Sequence, residues 1–155
     1  MLAKCRLLAV LPCAIGAIMK FPAVDQEHHI VVRVTSDDVR QFSNLSGDRA
    51  PLHIDHQFAT AHGFEGPLVH GALLASYVSQ LVGMFLPGPL SVLERIDLGF
   101  RLPCFAPCEL HLSAKVRQVS EAVASVVMDV FVSGADGRIF ASGKTWHKIL
   151  QEAGR

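Results

Sequence analysis

Charge of one sign is the first thing this chain lacks. Fourteen Lys and Arg face fourteen Asp and Glu, the formal net charge is zero and the pI is about 7.1. There is therefore no broad positive field for general nucleic-acid binding, and nucleic acid is not an expected partner. Charged residues are only 18% of the chain against 50% hydrophobic, a balance that excludes an intrinsically disordered protein. Cysteine is scarce as well. Cys5, Cys13, Cys104 and Cys108 are too few and too scattered for a disulfide scaffold, so reduced thiols are expected. No histidine pair completes a zinc-finger pattern around the CxxxC spacing of the last two. The apolar run at the amino terminus, Leu7 to Met19, has thirteen residues, short of the roughly 20 that a bilayer span needs. Lys4 and Arg6 ahead of it imitate a secretory signal, but Pro12 precedes Cys13 and no small-x-small cleavage site follows. The expectation is a cytoplasmic protein without a membrane span. Residues 1–23 then form an apolar extension packed on the domain or on a partner subunit, with export as the alternative.

At 155 residues the chain suits one domain, placed at 24–155, and one active site. His29 to Thr35 alternates and is β-branched enough for a strand. Ser36, followed by Asp37 and Asp38, is expected to cap a short helix that Gly47 closes in a left-handed conformation. Asp48 to Leu52 is expected to be a loop stiffened by Pro51, and Asp55 to cap a second short helix ending at Gly63. His70 to Leu86 reads as the longest helix. It is apolar almost all round, with Leu73, Leu74, Tyr77, Val78, Leu81 and Val82 among its residues, so it must be buried on most sides, and Pro87-Gly88-Pro89 ends it. Strands are expected from Leu90 to Phe100, around Leu110, Leu112, Ala114 and Val116 on one face, from Val123 to Val132, and from Arg138 to Ile149. Asp136-Gly137 turns the last pair as a hairpin. A strand, helices and then a run of strands indicate an α+β fold, a mostly antiparallel sheet wrapped around one buried helix.

Asp48 and His53 lie five residues apart across the Pro51 loop. Imidazole titrates near neutral pH and a desolvated carboxyl can be raised toward it, so the two can work as a general acid and base around one small substrate or water. Asp and His are equally at home as ordinary turn and capping residues. Pro67-Leu68-Val69-His70-Gly71 enters the buried helix, where unpaired N–H groups and the positive dipole end meet. Gly71 there allows another molecule to approach the backbone, which would suit a thioester oxyanion, or it only allows tight packing. His70 is expected to order the helix start. His53, His56 and His62 can be drawn as a metal cluster, but their spacing gives them no common face. His28, His29, His111 and His147 are expected to be exposed, and Trp146 and Tyr77 to pack in the core. Arg101, Lys115 and Arg117 are candidate phosphate contacts whose plainer reading is solvated strand charge.

The stretch Phe42-Ser43-Asn44-Leu45-Ser46-Gly47-Asp48-Arg49-Ala50-Pro51-Leu52-His53-Ile54-Asp55 continues with Phe58-Ala59, Gly63-Phe64 and Pro67-Leu68-Val69-His70-Gly71-Ala72-Leu73. Further on come Leu86-Pro87-Gly88 and Phe100-Arg101-Leu102-Pro103. Together they resemble the MaoC-like hydratase family, whose members include R-specific enoyl-CoA hydratases and 3-hydroxyacyl thioester dehydratases of the hot-dog fold, and the likeness runs from about Val31 to Ile149. The resemblance implies that Asp48 and His53 are the acid and base that add water to, or remove it from, a CoA- or carrier-protein-linked acyl thioester. It implies that Gly71 is the backbone donor to the thioester carbonyl and that Ser79, or else Ser76, supports the aspartate. It also implies a homodimer with no metal or redox cofactor. One departure stands out: Ala50 occupies the position before the proline where the family usually has Asn. A thioesterase of the same fold and a non-catalytic acyl-thioester or lipid-binding module are the rival readings.

Overall fold

In a computed structural model that describes residues 20–150, the chain forms five strands and four α-helices. The apolar extension expected at 1–23 lies outside the described residues up to residue 19; Phe21 packs against the core. β1 (Glu27–Val34) leads into α1 (Ser36–Ser46). The cap of α1 is Thr35 rather than Ser36: its hydroxyl accepts the Asp38 N–H at 3.2 Å while Asp38 Oδ2 accepts the Thr35 N–H at 2.7 Å. This reciprocal capping box needs an acidic residue three places on, and Asp38 supplies it only for Thr35. Gly47 ends α1 at φ +79°, as expected for a left-handed closing residue.

The expected loop 48–52 is shorter than read. Pro51 opens a single-turn helix, α2 (Pro51–Ile54), because its fixed φ and missing N–H suit the first helical position. Asp55 then caps α3 (His56–Ala61), accepting the Phe58 N–H at 3.0 Å. α4 (Gly71–Met84) follows, and then β2 (Ser91–Phe100), β3 (Cys108–Ser120), β4 (Ser125–Gly134) and β5 (Ile139–Ile149). β4 starts two residues later than expected because Glu121–Val123 coil into a 3-10 turn that Ala124 closes at φ +48°. Gly137, at φ +80°, turns the chain from β4 into β5 as the Asp-Gly pair implied.

The sheet order is β1-β3-β4-β5-β2 and every neighbouring pair is antiparallel. α4 lies across this sheet. Its Leu73, Leu74, Val78, Leu81 and Val82 are buried together with Leu110, Leu112, Ala114 and Val116 of β3 and Val126, Met128, Val130 and Val132 of β4. Leu81 is 0% exposed, so truncating it to Ala would cost about 2–5 kcal/mol. That packing fixes where the amino-terminal end of α4 sits, and therefore where the site is built.

Two expectations for β5 are corrected by its register. Inward positions recur every second residue, and they fall on Ala141, Thr145, His147 and Ile149. His147, expected to be exposed, is fully buried. Its Nε2 meets Thr145 Oγ1 at 2.9 Å, Nδ1 has no partner among the described residues, and burial lowers its pKa to about 4. Trp146, expected in the core, faces outward and half-buried, with the Arg95 guanidinium 4.5 Å above its ring. Tyr77 does pack against the core.

Candidate active site

Asp48 directly follows the left-handed Gly47, and its backbone is gripped from two sides. Its carbonyl accepts the Ser43 hydroxyl at 2.5 Å and the His70 Nε2–H at 3.1 Å. Its Oδ1 accepts the Ala50 N–H at 3.2 Å in an Asx turn, and the Ala50 carbonyl accepts the His53 N–H at 2.9 Å. The loop is therefore held by main-chain groups and by Ser43 and His70. An alanine at position 50 leaves that scaffold intact, since nothing in it calls on the residue's side chain.

α2 brings His53 round to face Asp48. His53 Nδ1–H donates to the Leu68 carbonyl at 2.8 Å, which fixes the tautomer and leaves the Nε2 lone pair free. That Nε2 lies 4.0 Å from Asp48 Oδ2, with the His53 side chain 18% exposed and the Asp48 side chain 52% exposed. The separation is too long for a direct hydrogen bond and short enough for one water to reach both groups. His70 does more than order the helix start. It is 1% exposed, and its ring stacks on His53 with centroids 3.7 Å apart, so it backs the imidazole as well as holding the Asp48 carbonyl.

Gly71 is the first residue of α4, and the cap position before it, His70, offers no side-chain cap. No acceptor among the described residues takes the Gly71 N–H, which leaves it an oriented donor at the positive end of the helix. Gly71 and His53 line one cavity of about 400 Å³ with Leu74, Phe100, Arg101 and Cys104. Gly71 also has a packing reason: a Cβ there would lie 2.8 Å from Phe100 Cζ.

The structure thus brings Asp48, His53, His70 and Gly71 together. It does not bring the two helix serines to Asp48. Ser76 Oγ is spent on the Leu73 carbonyl at 2.7 Å, the ordinary bond of a helix serine to its own backbone, and Ser79 is exposed with no hydrogen bond to the aspartate. The residues that reasoning from sequence missed are Ser43, buried under the loop, and Phe100, at the end of β2. A serine on the inward face of α1 five residues before Asp48 was a weak signal for the first. Phe100 depends on strand pairing that sequence does not display.

The ligand atoms of Asp48, His53 and His70 all lie within 4.8 Å of one another, the only such metal-sized group among the described residues; His56 and His62 take no part in it. The stacking argues against a shared ion. Imidazole lone pairs lie in the ring plane, so an ion bound by two near-parallel rings would sit well out of both planes. The candidate phosphate contacts also separate. Lys115 pairs with Asp25 at 3.1 Å and Arg117 with Asp129 at 2.6 Å, whereas Arg101 stays at the cavity with its Nε 3.4 Å from Ser142 Oγ.

Comparison with known proteins bears on the family and the fold. The (R)-specific enoyl-CoA hydratase of Aeromonas caviae is 35% identical over 128 residues, covering 81% of this chain and 94% of that one. The 3-hydroxybutyryl-CoA dehydratase of Methylorubrum extorquens is 37% identical over 70 residues, 45% of each chain. The solved structure of the A. caviae (R)-hydratase superposes with a TM-score of 0.79 at 33% identity, covering 83% of this chain and 97% of that one. The five-stranded antiparallel sheet wrapped on one long helix is the hot-dog fold. With residues 20–134 matching the model of the MaoC like domain, the chain belongs to the MaoC-like dehydratase family.

Proposed function

We propose that this protein is a hydro-lyase that reversibly adds water to a trans-2-enoyl thioester of CoA or of an acyl carrier protein, giving the (R)-3-hydroxyacyl thioester. The observation that carries the reading is the 4.0 Å approach of His53 Nε2 and Asp48 Oδ2 at a cavity that also holds the unpartnered Gly71 N–H. The relatives that are hydratases and dehydratases support it. A water held between Nε2 and Oδ2 donates one proton to each and aims its oxygen lone pair at C3 of the enoyl group. As the C3–O bond forms, Nε2 takes the water proton and the double-bond electrons move toward the thioester. The resulting enolate oxygen is stabilised by the Gly71 N–H and the dipole of α4. The imidazolium then returns its proton to C2, and dehydration is the same sequence reversed. His70 and Ser43 keep the Asp48 loop in register throughout, and Arg101 is the cavity cation that suits a carrier phosphate.

A homodimer is part of this proposal. β2 is an edge strand whose Val92, Ile96 and Phe100 are 47%, 38% and 55% exposed, an apolar edge that a second copy would cover. No helix among the described residues is long and apolar enough to cross a membrane. A cytoplasmic setting, where thiols such as those of Cys104 and Cys108 are reduced at rest, is proposed with it.

The test follows loss of enoyl absorbance from short and medium trans-2-enoyl-CoA beside release of free thiol. Absorbance loss alone is the expected outcome. Thiol release would establish a thioesterase instead, and neither signal on any chain length would leave a binding module. Asp48→Asn and His53→Ala should each lower kcat by at least about 100-fold. Near-normal turnover in both would overturn the assignment.

A further inference from the structure

The proposed reaction makes no use of the CxxxC pair. Cys104 Sγ and Cys108 Sγ lie 3.4 Å apart as free thiols, and they stand in the wall between two cavities. Cys104 is buried and lines the cavity that holds His53 and Gly71. Cys108 is half-buried and opens on a separate cavity of about 240 Å³ beside Pro107 and Arg138. The backbone around Cys104 is tied to the site: its carbonyl accepts the Val69 N–H at 2.7 Å, and Phe105 bridges to Leu68, the residue whose carbonyl orients His53.

We propose that Cys104 and Cys108 form a reversible dithiol–disulfide couple, oxidised by small hydroperoxides that enter from the Cys108 side, and that its oxidation reshapes the wall of the acyl cavity. The clause about the acyl cavity rests on the proposed function; the couple itself does not. Joining the sulfurs requires an approach of a little over ~1 Å, to the usual disulfide bond length. Cys108 is the attacking sulfur. The Cys104 S–H donates to it and holds the Cys108 thiol below its ordinary range, while that same bond, and then burial, push the Cys104 thiol up. The Cys108 thiolate attacks one peroxide oxygen. An S–O bond forms, the O–O bond breaks, and the departing oxygen leaves with a proton as water or an alcohol. Cys104, losing its proton as it attacks, then displaces the oxygen from the Cys108 sulfenic acid as water and closes the S–S bond. Two thiols and one hydroperoxide thus become one disulfide and two hydroxylic products, and a dithiol reductant reverses the change.

The experiment uses the full chain carrying Cys5→Ser and Cys13→Ser, treated with hydrogen peroxide and analysed by peptide mass spectrometry without reduction. The expected product is a Cys104–Cys108 crosslink within one chain, lighter by two hydrogens and reversed by dithiothreitol. In Cys104→Ser, Cys108 should accumulate a sulfenic acid that dimedone traps; in Cys108→Ser, Cys104 should stay unmodified over the same time. A crosslink found only between chains, or both thiols surviving peroxide, would overturn the couple. Hydration of trans-2-enoyl-CoA should change by at least about threefold in kcat/KM on oxidation and recover with dithiothreitol. Equal rates before and after would overturn the link to the cavity. The mass readout needs no activity, so a protein that crosslinks but never hydrates would refute the proposed function and leave the couple standing.

Discussion

Gly71→Ala separates two reasons for a glycine at the head of α4. An ideal Cβ at this position falls 2.8 Å from Phe100 Cζ and 3.0 Å from Cε2, so the ring must retreat by about 0.6 Å to reach ordinary van der Waals contact near 3.4 Å. Within one protomer Phe100 is 55% exposed at the end of an edge strand and has room to swing. The stability cost should therefore sit near the lower end of overpacking penalties, about 1 kcal/mol. Catalysis should suffer more. If the thioester carbonyl docks on the Gly71 N–H, a methyl beside that donor together with a displaced ring moves the reacting carbons off Asp48 and His53. A misplacement of that order costs about 100-fold in kcat/KM. The assay is a double-variant cycle on trans-2-enoyl-CoA hydration, with urea unfolding in parallel. Adding Phe100→Ala to Gly71→Ala should restore the stability lost to the clash but not the activity, because the methyl still stands at the donor. Return of kcat/KM in the double variant to the level of Phe100→Ala alone would show that Gly71 serves packing only, and the oxyanion role would have to be abandoned.

Three further outcomes are expected. The His147 pKa of about 4 in the folded chain lies below the 6.5 of the free side chain, so the unfolded chain takes up a proton first as pH falls. Stability is full above pH 6.5 and declines through that window by about 3 kcal/mol in all; urea midpoints should show this, and His147→Gln should flatten it, whereas parallel decline in both proteins would refute the assignment. Ser43→Ala removes one of the two donors on the Asp48 carbonyl and should cost about 1 kcal/mol in urea unfolding while lowering kcat more than it raises KM; an unchanged kcat would show that His70 alone positions the loop. Thr35→Ala breaks the capping box of α1 and should cost about 1 kcal/mol by the same measure, with kcat unchanged; a lost kcat would mean that α1 transmits its fraying to Asp48.

Ala50 illustrates why a family departure has to be weighed in three dimensions. A missing amide one residue before Pro51 looks, in a line of letters, like a loosened catalytic loop. In the fold, the bonds that fix Asp48 come from Ser43, His70 and the peptide groups of residue 50 itself, and none of them requires a side chain at 50. The chemistry of the loop thus rests on residues from α1 and the head of α4 that are distant in the chain.

The family resemblance, and no local pattern, joined Gly71 to the site; legible from the residues themselves were the strands, α1, α3 and the apolar α4, the buried face of β3, the Gly47 and Gly137 turns, and the Asp48 and His53 pair across one loop. Those follow from side-chain periodicity, from residues that tolerate positive φ, and from a short proline-constrained loop, all local properties. The sequence misassigned the cap of α1, because Thr35 and Ser36 are chemically alike and only the reciprocal bond to Asp38 distinguishes them. Tertiary structure alone decided which way β5 faces, since an inward Thr145 and His147 with an outward Trp146 contradict residue preference and obey pairing with β4 and β2. It alone decided that His70 stacks on His53, that the Phe100 ring packs against Gly71 and that two thiols meet. The first two of these contacts bring α2 and the end of β2 against the head of α4, elements that meet only when helix and sheet pack together, and no single segment encodes that packing.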